Sequence, residues 1–146
     1  MGIEIINTLE SSFNEQALTS VAEFTLNKMG IHPESDLEIT IVDEAEMTAL
    51  HIQWMDLPGP TDVLSFPMDE LKPFSAANGP GIIGDIVLCP AYAAKNAVNH
   101  SLDEELELLT VHGVLHLLGF DHAVPEEEKE MFALQDHTLQ EWRATQ

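Results

Sequence analysis

Three histidines, His112, His116 and His122, stand within the stretch VHGVLHLLGFDHA at residues 111–123. Histidines four positions apart on a helix lie on one face, one turn apart, so the imidazoles of His112 and His116 can point at a single ion. Gly119 lets the chain leave the helix through a left-handed conformation and fold back, which brings His122 round as a third ligand. Three imidazoles with a fourth position open is the pattern of a catalytic zinc site, whereas a structural site is normally closed by four ligands, often cysteines. The alternative is a buried helix whose histidines are satisfied one by one, and that needs a separate partner for each ring.

The spacing His-x3-His-x2-Gly-x2-His is also that of the metzincin peptidases. In those enzymes a glutamate directly follows the first histidine and acts as general base. Here that place is Gly113. Glycine inside a helix costs about 1 kcal/mol relative to alanine, which argues for a close backbone contact or a substrate approach at this point. It cannot take a proton, so the pattern points to metal-assisted hydrolysis with a different substrate or a different base.

The elements that must position these residues follow from local signals. Ile3 to Asn7 reads as a short strand, and Phe13 to Met29 as an amphipathic helix stopped by Gly30. DLEITIVDE, from Asp36, alternates like a half-buried strand; Asp43 with Glu46 then makes a capping box that opens a helix through about Trp54. DLPGP at 56–60 is a turn, TDVLSFPM a strand, and DELKPFSAANGPG at 69–81 a Pro/Gly-rich loop expected to stay mobile. IIGDIVLC is the most apolar strand, and Pro90 opens the helix bearing AYAAKNAV. Ser101 and Glu104 form a second capping box, at the head of the helix that carries His112 and His116. A last helix runs from about Pro125 to about Trp142.

A chain of 146 residues is one domain and can bury a real core. At 45% apolar it is too hydrophobic for a disordered protein, and no run approaches a membrane span. MGIEIINTLE does not resemble a secretory signal, and the single cysteine, Cys89, excludes an internal disulfide; the expected location is a reducing cytoplasm. The net charge of -21 opposes a polyanionic ligand at long range and favours a bound metal cation.

HGVLHLLGFDH resembles the signature of the YbeY family of bacterial rRNA-maturation endoribonucleases. PTDVLSFP at 60–67 and GDIVLC at 84–89 are similar to that family's other blocks, in the same order, and together the blocks cover roughly residues 36–142. The resemblance implies an α+β fold, with a small mixed sheet of about four strands packed with about five helices in one domain. It implies one Zn2+ per chain on His112, His116 and His122. The implied activity is cleavage of single-stranded RNA in rRNA maturation and ribosome quality control, with rRNA precursors as substrate and ribosomal proteins or assembly factors as partners. None of that RNA specificity follows from spacing or composition.

Many members of that family carry an arginine six residues before the threonine of the PTDVLSF-type block, within a Tyr-Arg pair; here the pair reads Trp54-Met55. Gln53 and His51 sit nearby and can hydrogen-bond a phosphate, but neither has the permanent charge and planar fork of arginine. Lys72 is the candidate substitute cation. Thr61 and Ser65 flank a strand that edges the cleft and offer hydroxyls to substrate. Asp121 is the candidate catalytic carboxylate, orienting a ligand histidine or relaying a proton. Asp62 is expected to cap or turn the chain, Asp85 to have a partner near the site or in a turn, and His32, His100 and His137 to lie on the surface. Two other classes fit the same ligands: a metallopeptidase-like hydrolase with a non-standard base, and a non-catalytic metal-binding ribosome-assembly factor.

Overall fold

The alternation in GIEIIN and DLEITI makes two short strands, β1 (Gly2–Asn7) and β2 (Asp36–Ile41), which pair in parallel with Ile3 opposite Leu37 and Ile5 opposite Ile39. Parallel neighbours need a crossover, and α1 (Glu15–Lys28) supplies it. The Asn14 side chain caps α1 by accepting from the Ala17 N–H at 3.2 Å. The computed structural model describes residues 2–9 and 12–146. Among them are three further helices in the second half of the chain, α3 (Pro90–Asn96), α4 (Leu102–Leu117) and α5 (Pro125–Ala144). Between the halves lie α2 (Glu44–Met55) and two strands, β3 (Val63–Pro67) and β4 (Ile82–Leu88). The sheet order is β1-β2-β4-β3, parallel except for β3, which runs antiparallel on the edge with Ser65 opposite Ile86. Among the described residues the architecture is α+β with a mixed four-stranded sheet and five α-helices, as the resemblance implied. No helix among the described residues is long and apolar enough to cross a membrane.

α4 is the core helix: ten of its sixteen residues are buried, too many for a surface element. Its leucines and valines pack with Ile39, Ile83, Ile86 and Leu88 of the sheet and with Leu18, Val21 and Ala22 of α1. Each such side chain contributes about 1.5–3 kcal/mol of transfer free energy. Because side chains alternate across a strand, Val87 and Leu64 face the other way, and they form a smaller cluster with Val42, Met47 and Cys89 under α2. The capping box at Ser101 is complete, with both halves made to Glu104. The cap at Asp43 is one-sided: its carboxylate accepts from the Glu46 N–H at 2.8 Å.

Two expectations are corrected here. The 69–81 loop is tethered: the Phe74 N–H donates to the Met29 carbonyl at 2.7 Å and Ala76 to Gly30 at 3.0 Å, closing the loop onto the end of α1. A Cβ at Gly30 would stand 2.6 Å from the Phe74 ring, so a side chain there would push the loop away. Asp85 has no side-chain partner among the described residues and is only half-buried on the sheet surface, opposite Glu38. His100 lies on the surface as expected, and its ring pairs with the buried carboxylate of Glu105 at 2.5 Å.

Candidate metal centre

The apolar side of α4 faces the sheet, which leaves His112 and His116 one turn apart on a neighbouring face with ring centroids 4.6 Å apart. At the end of the helix the Gly119 and Phe120 N–H groups return to His116 and Leu115, both at 3.0 Å. Gly119 adopts φ +101°, a conformation costly for any residue with a Cβ, and the chain reverses there. The reversal sets His122 with its ring centroid 5.6 Å from that of His112 and 5.1 Å from that of His116. One ring nitrogen from each of the three lies within 4.8 Å of the others, close enough to hold a metal ion. Phe132 of α5 stacks on the His122 ring at 6.0 Å and backs His112 at the same distance.

The donor set suits a cation. Nδ1 of His112 lies 2.8 Å from Oε1 of the buried Gln135. An amide oxygen only accepts, so Nδ1 carries the proton and Nε2 keeps its lone pair for a ligand bond. Burial pushes the His112 pKa down, partly offset by the Gln135 bond. Burial, reinforced by His112 and His122 alongside, pushes His116 down to about 4. Both rings are thereby favoured as neutral donors near pH 7.

The three rings open into a cleft of about 400 Å³ whose other wall is the edge strand, with Thr61, Asp62, Leu64 and Ser65, and whose rim includes Met55. A larger groove, about 650 Å³, runs between α1, β1 and the end of α5. Its lining includes Glu15, Glu23 and Trp142 but none of the clustered imidazoles, which line the smaller cleft.

Residues 4–143 match the family model described as Endoribonuclease YbeY. The chain belongs to the YbeY family. A Rhodococcus erythropolis protein named Endoribonuclease YbeY is 57% identical, over 97% of this chain and 82% of its own length. One from Mycobacterium tuberculosis with the same name is 55% identical, over 100% of this chain and 86% of its own. A Thermotoga maritima protein solved in solution superposes with a TM-score of 0.60 at 26% identity, over 98% of this chain and 93% of that one.

Set on this YbeY fold, the residues singled out in the sequence fall into three groups. His112, His116, His122, Thr61 and Ser65 converge on the cleft. The Ser65 hydroxyl also donates to the Gly113 carbonyl at 3.4 Å, tying β3 to α4. Asp62, expected only to shape a turn, lines the cleft as well and accepts from Asn96 at 3.3 Å. Lys72 and Asp121 flank the centre. Lys72 shares a small side pocket of about 180 Å³ with His116, Gly119 and Glu70, and its Nζ stands 3.9 Å from where a Gly119 Cβ would be. Oδ1 of the exposed Asp121 accepts the His122 backbone N–H at 2.7 Å and so fixes the returning chain. Gln53 and His51 are not in the cleft lining. Gln53 is exposed on α2, and Nδ1 of His51 bonds the Gly59 carbonyl at 2.9 Å, holding the turn before β3.

Gln135 was missed by sequence reasoning, although it left a signal. Met131, Thr138, Leu139 and Trp142 are the other buried residues of α5, and Gln135 sits on their stripe. An amide on an apolar helix face is costly without a partner, and that alone marks it as paired. Gly113 is explained too: an added Cβ would meet three Ile86 side-chain atoms at 3.0–3.2 Å, so α4 lies close on β4 because no side chain intervenes.

Proposed function

We propose that this chain is a zinc-dependent, single-strand-specific endoribonuclease acting on rRNA precursors in ribosome maturation and quality control. On this reading the whole chain, 1–146, works as one metal-dependent hydrolase domain in the cytoplasm, with ribosomal proteins or assembly factors as partners. The observation that carries it is the cluster of three imidazoles open to a cleft, in a chain whose relatives are named endoribonucleases.

His112, His116 and His122 hold the ion, and Gln135 fixes the His112 ring. Zinc held there would supply Lewis acidity for phosphodiester cleavage. Thr61 and Ser65 present hydroxyls to the substrate phosphate from the opposite wall, a role that fits their place in the lining. Lys72, without an acidic partner among the described residues, offers the cation that Met55 does not. Asp121 holds His122 and is the exposed carboxylate placed to exchange a proton with solvent. Gly113 removes the peptidase base, which weighs against protein as substrate.

The test is a comparison of zinc-loaded and chelated protein on single-stranded RNA, on a duplex of the same sequence and on casein. Cleavage of the single strand alone, lost on chelation and regained with zinc, is expected. Casein cleavage would make the chain a peptidase, and RNA binding without turnover an assembly factor.

A further inference from the structure

The chain offers a polyanion few cations. It has five lysines and arginines against a net charge of -21. Three of the five are engaged by acids: Lys28 by Glu141, Lys95 by Glu44 and Arg143 by Glu107. RNA bound under those conditions has to draw much of its affinity from uncharged contacts, and stacking on an aromatic side chain is the strongest of these.

The end of α2, next in the chain to the cleft residue Met55, carries such a side chain. α2 fully buries only Met47, while Ile52, Trp54, Met55 and Leu57 are 52, 60, 45 and 51% exposed. Single exposed apolar residues need no explanation, but a group of them beside a cleft does. Met55 lines that cleft, and Trp54 is its chain neighbour. The indole is held as well as exposed. It packs edge-on against Phe66, with centroids 6.0 Å apart and planes at 69°, and Phe66 itself packs against the small apolar cluster beneath α2. The backbone beneath is fixed: Asp56 ends α2 at φ 53° and its N–H returns to Ile52 at 3.1 Å, while the His51 ring clamps the turn that follows.

We infer that Trp54 is a nucleobase platform, stacking on an unpaired base of a nucleotide that flanks the phosphate in the cleft. The inference rests on the endoribonuclease reading above and gives it a physical source of strand selectivity. A free base can lie on the indole, whereas a base in a duplex must first leave its own stack.

The experiment titrates the metal-free full chain with a short oligoadenylate and follows tryptophan fluorescence. Trp142, the second of two tryptophans, is 4% exposed and donates to Ser20, so it serves as an internal reference. Quenching of the exposed tryptophan is expected, persisting at a salt concentration that screens charge. Trp54→Ala should abolish the quenching and weaken oligoadenylate binding roughly tenfold. Trp54→Phe should retain most of the affinity. With zinc-loaded protein the cleavage loss in Trp54→Ala should fall on KM more than on kcat, and the preference for single strand over duplex should narrow. A Trp54→Ala protein that binds, cleaves and discriminates like the parent overturns this inference and leaves the endoribonuclease reading standing. A parent that neither binds nor cleaves RNA overturns both.

Discussion

Gln135 reaches from α5 to place its amide oxygen 2.8 Å from Nδ1 of His112, 23 positions earlier in the chain, so the last helix sets the orientation of a ring carried by the core helix. Partners of this kind typically change metal affinity about 10–100-fold when removed. Gln135→Ala should weaken zinc binding by that order, measured by competition with a chromophoric chelator. Gln135→Glu keeps an acceptor and should retain most of the affinity. Equal affinities in all three proteins would show that the His112 ring needs no support.

Each of His112→Ala, His116→Ala and His122→Ala should remove most bound zinc and RNA cleavage while leaving a folded protein, because the apolar cluster around α4 does not depend on the ion. Chelation should lower the Tm of the parent, since an ion that binds only the native state stabilises it by about 2.7 kcal/mol at a hundred times its Kd. Stoichiometric zinc in the double variant His112→Ala/His116→Ala sinks the ligand assignment.

Gly113→Ala gains about 1 kcal/mol of helix propensity but drives a methyl into Ile86, which is fully buried and has little room to yield. Overpacking of this sort costs roughly 1–3 kcal/mol, so a net loss of about 1 kcal/mol is expected in urea unfolding. Ile86→Val removes the atom of closest approach, at 3.0 Å, and should recover part of that loss in the double variant. Gly113→Glu should not confer casein cleavage, because the new side chain starts towards the sheet.

The metal-free protein should lose stability in acid through His116. Its folded-state pKa stands at about 4 against an ordinary 6.5, chiefly through burial. Between those values the unfolded chain binds the proton and the folded one does not, so stability falls as pH drops from 6.5 towards 4 and this contribution is gone below 4. His116→Gln should flatten that part of the apo Tm profile. An unchanged slope would place the acid sensitivity elsewhere.

Met55→Arg should raise single-turnover RNA cleavage several-fold. The side chain lines the cleft, so a guanidinium there can reach a phosphate. A well-supported donor at such a site is worth about 2.7–4 kcal/mol, and one added without supporting contacts roughly 1 kcal/mol. A gain that vanishes in high salt would mean the charge only attracts RNA from a distance.

The clustering of the three histidines was legible because helical periodicity and one glycine are local facts: His112 and His116 share a face by spacing alone, and Gly119 is where a reversal has to occur. The small mixed sheet came through the family resemblance, but the order of its strands and the edge position of β3 did not, because no local signal specifies that Ser65 meets Ile86. What stayed hidden was tertiary. Gln135 and His112 meet only after α5 folds back, the reason for glycine at 113 lies in Ile86 on another element, and the tether from Phe74 to Met29 turns a loop rich in breakers into a fixed one.

Cys89 lies fully buried in the small cluster beneath α2, and burial raises its thiol pKa, so the folded protein presents no ready nucleophile to an alkylating reagent. Modification has to wait for the sheet to be uncovered, which makes its rate a clock for how often α2 lifts. With one cysteine in the chain, every added mass reports the same event. The helix being timed is the one that brings Met55 to the cleft, so a ligand that grips that end of α2 should slow the clock without ever touching the sulfur.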